Sequence, residues 1–189
     1  MINNPIIRTY APLKSKYLAI FDRDDTVILD IPARKPSDEI VWTTGAIQAL
    51  SYLYNNGVDL AIASNQGSIA RNQITVEDVL ETNNLIQDMA AEHGFGFSTI
   101  AFCPHHPDGA LGNIYAIRCQ CRKPEAGLIT AIIEHSPALK IVFFGDKQTD
   151  ILAAKVVPHQ RVTSVLIDSK VQDLLSKAVD WLAEVGRES

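Results

Sequence analysis

The feature that most constrains the fold is the regular alternation of short apolar runs with amphipathic segments. Helical patterns run from Thr75 to Gly94, beginning with a Thr75–Asp78 pair that resembles a capping box, and from about Gly45 to Asn56. The alternation predicts an α/β fold with a Rossmann-like, doubly wound, mainly parallel sheet and helices on both faces. Five apolar runs are typical of buried strands and cover Tyr17 to Asp22, Val58 to Ser64, Phe97 to Cys103, Lys140 to Asp146 and Val162 to Asp168.

Chain length and composition favour one domain, residues 1–189, that folds without disulfides. Of the 189 residues, 47% are hydrophobic, which suffices for a core of its own. The formal net charge is −5 and the charged residues are scattered, so no basic surface for nucleic acid is indicated. The N-terminal sequence lacks a secretion signal, and no apolar run is long enough to cross a membrane. We therefore expect a cytoplasmic monomer without nucleic-acid or membrane partners.

Polar side chains follow the predicted strands, and parallel sheets bind ligands beyond the carboxyl ends of their strands. Because Asp22 and Asp24 are two residues apart, an extended backbone points both side chains the same way. Two carboxylates about 4 Å apart repel by roughly 4 kcal/mol at an effective dielectric near 20, so a cation must offset them or one must be protonated. Either state suits Mg²⁺-assisted phosphoryl transfer. The polar residues at the strand ends are Asp22, Asp24, Ser64, Asn65, Asp146 and Asp150.

The Asp-rich string FDRDDT, taken alone, fits a solvated loop equally well, since Asp and Thr are common turn residues. Its order with SNQGSIAR, CRKPEAG and GDKQTD favours a site instead. These motifs resemble those of the haloacid dehalogenase-like superfamily of phosphatases, and the resemblance covers about residues 17 to 168. It implies a magnesium-dependent phosphomonoesterase.

The resemblance also implies a role for each matching residue. Asp22 would be the nucleophile that forms an aspartyl-phosphate, and Asp24 the general acid and then the base. Ser64 would bind the phosphoryl oxygens, with Asn65 beside it, and Lys123 would neutralise the phosphate.

The magnesium ligands follow from the same resemblance. Asp22, the backbone carbonyl of Asp24 and Asp146 would bind Mg²⁺, and Asp150 would orient its neighbours. A set made only of oxygen atoms suits Mg²⁺ on chemical grounds as well.

Within the superfamily, CPHHPDG and CQCRKPEAG resemble the D-glycero-D-manno-heptose 1,7-bisphosphate phosphatases. The implied substrate is a small sugar phosphate, with removal of the 7-phosphate of the heptose bisphosphate. The histidinol-phosphate phosphatases share the metal loop, so histidinol phosphate or another small metabolite is the alternative substrate. The chain departs from the heptose group at Asp25, where that group usually has Gly, and lacks the tyrosine expected shortly after Asp30.

Two arginines are candidates for binding a second phosphate that does not react. The intervals from Thr26 to Ser64 and from Ser64 to Lys123 are too short for a cap domain, so loops must supply specificity. Arg122 and Arg71 each offer the fork of donors that suits a phosphate. A lone arginine such as Arg71 is also common as a solvated surface residue.

All three cysteines lie in the loop at about residues 103–121, together with His105 and His106. Three thiolates and one imidazole form the closed tetrahedral set of a structural Zn²⁺ site, with no open position for catalysis. The pattern leaves the choice of histidine open, and the resemblance selects His105 with Cys103, Cys119 and Cys121. The alternatives are a core cysteine with incidental surface thiols, or a zinc-stabilised binding module without activity. The remaining histidines, expected at a helix end or at the surface, are His93, His135 and His159.

Overall fold

The computed structural model describes residues 3–134, 136–157, 162–168 and 173–187, so the expectations for His135 and His159 lie outside the described residues. Within these ranges the strands are β1 (Ile6–Thr9), β2 (Tyr17–Phe21), β3 (Asp59–Asn65), β4 (Thr99–Cys103), β5 (Lys140–Gly145) and β6 (Val162–Leu166). The helices are α1 (Ala46–Asn55), α2 (Val76–Glu92), α3 (Gly127–Ile133), α4 (Gln148–Lys155) and α5 (Leu174–Arg187). No helix among the described residues is both long and apolar enough to span a membrane.

The strands form one sheet in the order β1-β4-β3-β2-β5-β6. Strands β2 to β6 are parallel, and β1 pairs antiparallel with β4 at the edge. The predicted doubly wound, mainly parallel fold is confirmed. The five predicted strands are all present, whereas β1 was missed because its four half-buried or exposed residues carry no long apolar run.

Alternate residues of the central strand point to opposite faces, as the pleat of a strand requires. Leu18 and Ile20 pack in the core on the face of α3 and α4. Phe21 packs on the opposite face, where its ring stacks on Phe144 of β5 with centroids 5.1 Å apart, in the core that includes α1 and α5. The two cores hold β2 and β5 rigidly at the centre of the sheet.

Helix α2 begins at the capping box that the sequence predicts. The Thr75 hydroxyl accepts a hydrogen bond from the Asp78 N–H at 3.0 Å, and the Asp78 carboxylate accepts one from the Thr75 N–H at 2.8 Å. The helix ends at His93, just before Gly94, where φ is 79°. The predicted start and end of this helix are therefore confirmed.

Residues 27–45, here called the flap, connect β2 with α1. Isolated bridges join Ile28 of the flap to Asp24, just before the flap, and to Trp42 within it. The flap contains no helix and no multi-residue strand, and it lies over the carboxyl end of the sheet. The chain therefore roofs this end with a loop.

Candidate active site

The polar strand ends of the central sheet meet at one cavity of about 410 Å³. Strand β2 lies between β3 and β5, so the residues that follow these three strands are neighbours in space. The flap closes one side of the cavity. The predicted site residues that line the cavity are Asp22, Asp24, Ser64, Asn65, Arg71, Arg122, Lys123 and Asp150.

Lys123 is the centre of this arrangement and is only 3% exposed. Its ammonium group lies 2.7 Å from Asp22 Oδ1 and 2.7 Å from Asp150 Oδ1, and it donates to the Ala63 carbonyl at 2.8 Å. Burial alone would lower the pKa of Lys123, but the two carboxylates raise it above its ordinary value. Lys123 is therefore a fixed positive charge beside Asp22.

Asp22 is 5% exposed, and its N–H donates to the Phe144 carbonyl at 2.8 Å, which fixes its backbone between β2 and β5. Burial raises the pKa of Asp22 to about 7, against the opposing effect of Lys123 and with further rises from Asp150 and Asp24. The anionic form of Asp22 therefore depends on positive charge nearby, which a cation would increase.

Asp24 has a different environment from Asp22, although both carboxylates line the same cavity. Burial would raise the pKa of Asp24, but the Arg23 guanidinium, which pairs with both of its oxygens at 3.0 and 3.1 Å, holds it below the usual range. Gln66 donates to Asp24 Oδ2 at 2.8 Å, and Ser64 donates to the same oxygen at 3.4 Å. Two carboxylates with divergent pKa values suit different roles in one reaction.

Gln66 and Arg23 were not selected from the sequence as site residues. Gln66 also donates to the Ser64 hydroxyl at 2.7 Å, so it orients both Ser64 and Asp24. Arg23 is buried and donates to Asn83 on α2 at 3.1 Å, which anchors its guanidinium. Gln66 could have been identified from its position directly after Ser64-Asn65. Arg23 could have been identified from its position between Asp22 and Asp24.

Three carboxylates approach closely enough to hold a cation. One oxygen from each of Asp22, Asp146 and Asp150 lies within 4.8 Å of the others. Asp146 Oδ1 is buried without a hydrogen-bond partner in the described structure, and burial raises the pKa of Asp146. An orphaned carboxylate oxygen beside Asp22 suits a hard cation such as Mg²⁺.

Asp150 is already engaged through both of its oxygens. Oδ1 pairs with Lys123, and Oδ2 accepts a hydrogen bond from the Lys147 N–H at 3.0 Å. Gly145 makes room for this carboxylate, because an added Cβ there would lie 2.4 Å from the Asp150 Cβ. Asp150 is thus placed to position Lys123 rather than to bind a metal directly.

Asn65 fixes the backbone at Lys123 through two reciprocal hydrogen bonds. Asn65 Nδ2 donates to the Lys123 carbonyl, and the Lys123 N–H donates to Asn65 Oδ1, both at 3.0 Å. The end of β3 is thereby joined to the loop that carries Lys123. Both the nitrogen and the oxygen of the Asn65 amide therefore form hydrogen bonds within the protein.

The three cysteines and His105 form one cluster, in which only Cys119 is half-buried and the other three residues are buried. Their sulfur atoms are 3.0, 3.4 and 3.5 Å apart, and His105 Nδ1 lies 3.3 Å from Cys103 Sγ and 3.2 Å from Cys121 Sγ. All three cysteines are free thiols. The edges of a tetrahedral site with Zn–S bonds of about 2.3 Å measure about 3.8 Å, so a widening of a few tenths of an ångström admits Zn²⁺.

The three thiols of this cluster differ in pKa. The Cys121 thiol donates a hydrogen bond to Cys103, which lowers the pKa of Cys103 to about 6. The same contact raises the pKa of Cys121, and burial raises that of Cys119. A thiolate already favoured at Cys103 is the form in which cysteine binds metal.

Arg122 and Arg71 lie on a second wall of the cavity. Arg122 is half-buried and donates to the His105 carbonyl at 3.2 Å, whereas Arg71 is exposed, with Nη2 lying 2.8 Å from His106 Nε2. The Asp108 N–H donates to Nδ1 of His106. The structure therefore brings Arg71 and Arg122 to one side of the cavity through two neighbouring histidines.

Asp25 adopts a left-handed backbone conformation with φ of 62°. This explains why glycine is usual here in the group that the chain resembles, since glycine has no steric penalty at positive φ. Aspartate tolerates the same region better than most residues, and the Asp25 carboxylate also accepts a hydrogen bond from the Asp30 N–H at 3.0 Å. The substitution thus preserves the turn that follows Asp24.

Comparisons with known proteins find phosphatases, the class of enzyme that the sequence motifs predict. The family model of polynucleotide kinase 3 phosphatase matches residues 17–163. A D-glycero-beta-D-manno-heptose-1,7-bisphosphate 7-phosphatase from Pseudomonas putida is 33% identical over 181 residues, which cover 90% of this chain and 98% of that protein. The Yersinia pestis protein of the same name is 34% identical over 170 residues, with 87% of this chain and 88% of that protein covered.

A solved structure shares the fold. D,D-heptose 1,7-bisphosphate phosphatase from B. bronchiseptica, complexed with magnesium and phosphate, superposes with a TM-score of 0.69 and 24% identity. The match covers 89% of this chain and 99% of that chain.

Gly145→Ala tests whether Asp150 positions Lys123. The new Cβ displaces Asp150, so we expect a loss of about 1–3 kcal/mol in the free energy of unfolding, by urea denaturation. Release of phosphate from p-nitrophenyl phosphate should fall more than about tenfold, because Lys123 loses one partner.

Gly186→Ala on α5 is the matched control, since nothing lies within 4 Å of its added Cβ. It should raise stability by up to about 1 kcal/mol and leave activity unchanged. Equal activity in the two variants would contradict the positioning role of Asp150.

Proposed function

Since the chain belongs to the polynucleotide kinase 3 phosphatase family and is a phosphatase of the haloacid dehalogenase-like superfamily, we propose that it removes the 7-phosphate of D-glycero-D-manno-heptose 1,7-bisphosphate. The observation that carries the chemistry is the buried contact between Lys123 and Asp22 at the end of β2. The relatives that carry this substrate in their names support the choice of sugar. Because the chain is a phosphatase, we drop the alternative of a zinc-stabilised binding module without activity.

Asp22 is the proposed nucleophile. Its carboxylate attacks phosphorus, the bond from phosphorus to the leaving oxygen breaks, and an aspartyl-phosphate forms. Lys123 holds Asp22 in place and offsets the negative charge that accumulates in the transition state. The Ser64 hydroxyl, oriented by Gln66, is available to donate to an oxygen of the transferring phosphoryl group.

Asp24 is the proposed general acid and base. The acid role requires a proton on Asp24 when substrate is bound, and the negative charge of a phosphate beside it favours that protonated form. Asp24 gives this proton to the leaving oxygen, and then takes one from the water that hydrolyses the aspartyl-phosphate. Contacts from Arg23 and Gln66 fix the direction of its carboxylate throughout.

Asp22, Asp146 and the backbone carbonyl of Asp24 are the proposed magnesium ligands. When bound there, Mg²⁺ screens the anionic nucleophile from the anionic phosphate. The buried, unpartnered Oδ1 of Asp146 supports this assignment. The oxygen atoms of Asp150 are held by Lys123 and by the Lys147 N–H, which leaves Asp150 as a positioning residue.

Cys103, His105, Cys119 and Cys121 are the proposed ligands of a structural Zn²⁺. Four protein ligands leave no open position, so the ion stabilises the loop and takes no part in the reaction. Cys103 ends β4, and Cys121 is two residues before Lys123. Binding would thus fix the loop that delivers Arg122 and Lys123 to the cavity.

Arg122 and Arg71 are the proposed contacts for the phosphate that does not react. Both line the cavity, and neither pairs with a carboxylate among the described residues. A phosphate fits their forked donors. A monophosphate such as histidinol phosphate would leave both guanidinium groups without an anion.

Asp22→Asn should reduce phosphate release from p-nitrophenyl phosphate by at least about a thousandfold, because the amide cannot form the aspartyl-phosphate. Removal of Mg²⁺ with a chelator should abolish activity of the unmodified protein, and added Mg²⁺ should restore it. Asp180→Asn, at an exposed position on α5, is the control and should retain full activity. Activity that persists in the Asp22→Asn variant would refute Asp22 as the nucleophile.

Substrate choice is tested by measuring kcat/KM for three compounds. We expect heptose 1,7-bisphosphate to exceed histidinol phosphate by at least about tenfold, because only the bisphosphate engages both arginines. The third compound is an oligonucleotide with a 3′-phosphate, prompted by the description of the family model. We expect it to be the poorest substrate, since the net charge of −5 gives no attraction for a polyanion. A preference for either other compound would overturn the heptose assignment.

Cys119→Ser tests the zinc site by metal analysis of the purified protein. The substitution removes one thiolate, so we expect zinc content to fall well below one per chain and kcat to fall through misplacement of Lys123. Asp108→Asn, in the same loop and exposed, should keep its zinc. Full zinc content in the Cys119→Ser variant would argue against the proposed ligand set.

A further inference from the structure

Arg34 occupies an unusual position for a cationic side chain. It lies in the flap, within the segment after Asp30 where the sequence departs from the group that it resembles. Its side chain is buried, with the residue only 2% exposed, yet it lines the active-site cavity together with Asp22 and Asp24.

The donors of Arg34 are incompletely used. Nη1 donates to the Glu39 carbonyl at 2.5 Å and Nη2 to the Leu29 carbonyl at 2.6 Å, so two of five N–H groups are satisfied. Nε is buried without an acceptor, and no carboxylate in the described part of the chain forms an ion pair with Arg34. Burying a cation without an ion-pair partner is energetically costly, and an anionic ligand would offset that cost.

The electrostatics of the cavity favour an anion at this place. Six cationic side chains and four carboxylates line the cavity. Lys123, Arg23 and Lys147 form ion pairs with carboxylates, whereas Arg34 forms none among the described residues. Burial first, and then repulsion from Arg23, lower the pKa of Arg34, against the opposing effects of Asp24, Asp38 and Asp30. An incoming anion would relieve this repulsion.

We propose that Arg34 binds the phosphate that does not react and thereby sets a preference for bisphosphates over monophosphates. The proposal rests on the proposed function, because it requires a substrate with two phosphates. Arg34 is electrostatically coupled to Arg23 and Asp24, and Asp24 protonates the leaving group. Arg34 lines the same cavity as Arg71 and Arg122, the contacts proposed above for this phosphate, and adds a third guanidinium group from the flap.

The experiment compares kcat/KM for heptose 1,7-bisphosphate and p-nitrophenyl phosphate in the unmodified protein and in Arg34→Gln and Arg34→Lys. For Arg34→Gln we expect a loss of about tenfold to a hundredfold on the bisphosphate, mainly in KM, and little change on p-nitrophenyl phosphate. Arg34→Lys retains the charge and should recover part of the loss. Lys35→Gln removes the same charge from an exposed neighbour and should change neither substrate.

Three outcomes would overturn the role of Arg34. An equal loss of kcat/KM on both substrates would mean that Arg34 only links the flap carbonyls structurally. Thermal melting of the Arg34→Gln and Arg34→Lys variants would reveal a folding defect. An unchanged bisphosphate preference in Arg34→Gln would refute Arg34 alone. If the unmodified protein shows no preference for the bisphosphate, both the proposed function and the role of Arg34 are refuted. This result therefore differs from the preceding one, in which only the role of Arg34 fails.

Discussion

The buried ammonium group of Lys123 is the interaction on which the rest of the site depends. It joins Asp22 after β2, the carbonyl of Ala63 in β3 and Asp150 at the start of α4. Each of these groups is costly to bury alone, and the cation compensates all three at once. Removing Lys123 would leave two carboxylates unmatched in the interior. The catalytic geometry is therefore coupled to stability, because the sheet and the site share this contact.

The loop that carries Lys123 is held at two places before it reaches the cavity. Asn65 binds the backbone of Lys123 from the end of β3, and the sulfur of Cys121 lies against Cys103 at the end of β4. Holding a lysine in one position on a long loop costs conformational entropy, which these two attachments help to offset. The cysteine cluster thus helps to place the loop that carries Lys123. This explains why cysteines and a histidine lie beside a cavity lined by carboxylates.

The sequence predicted the parts of the fold and site that depend on local pattern. Apolar runs that end in Asp22, Ser64 and Asp146 marked both the strands and the residues at their carboxyl ends, because in parallel sheets the two are the same place. Strand β1 was missed since pairing with β4, and not its own pattern, creates it. Arg34 was missed for a related reason. Its burial depends on how the flap folds back on itself, which no periodicity in the sequence indicates.

The division between strand ends and loops explains how one site can keep its chemistry while its selectivity changes. Asp22 and Ser64 lie at strand ends of the sheet, and Lys123 is tied to Asp22, so the sheet holds these three side chains in place. The flap is held by the bridge of Ile28 to Asp24, by packing of Trp42 on Phe95, and by contacts within it such as those between Arg34 and two carbonyls. A change at a flap position outside these contacts can therefore move a charge without disturbing β2. In the proposed function, these loop charges distinguish one sugar phosphate from another. The departures from the heptose group at Asp25 and after Asp30 lie in this adaptable part of the chain.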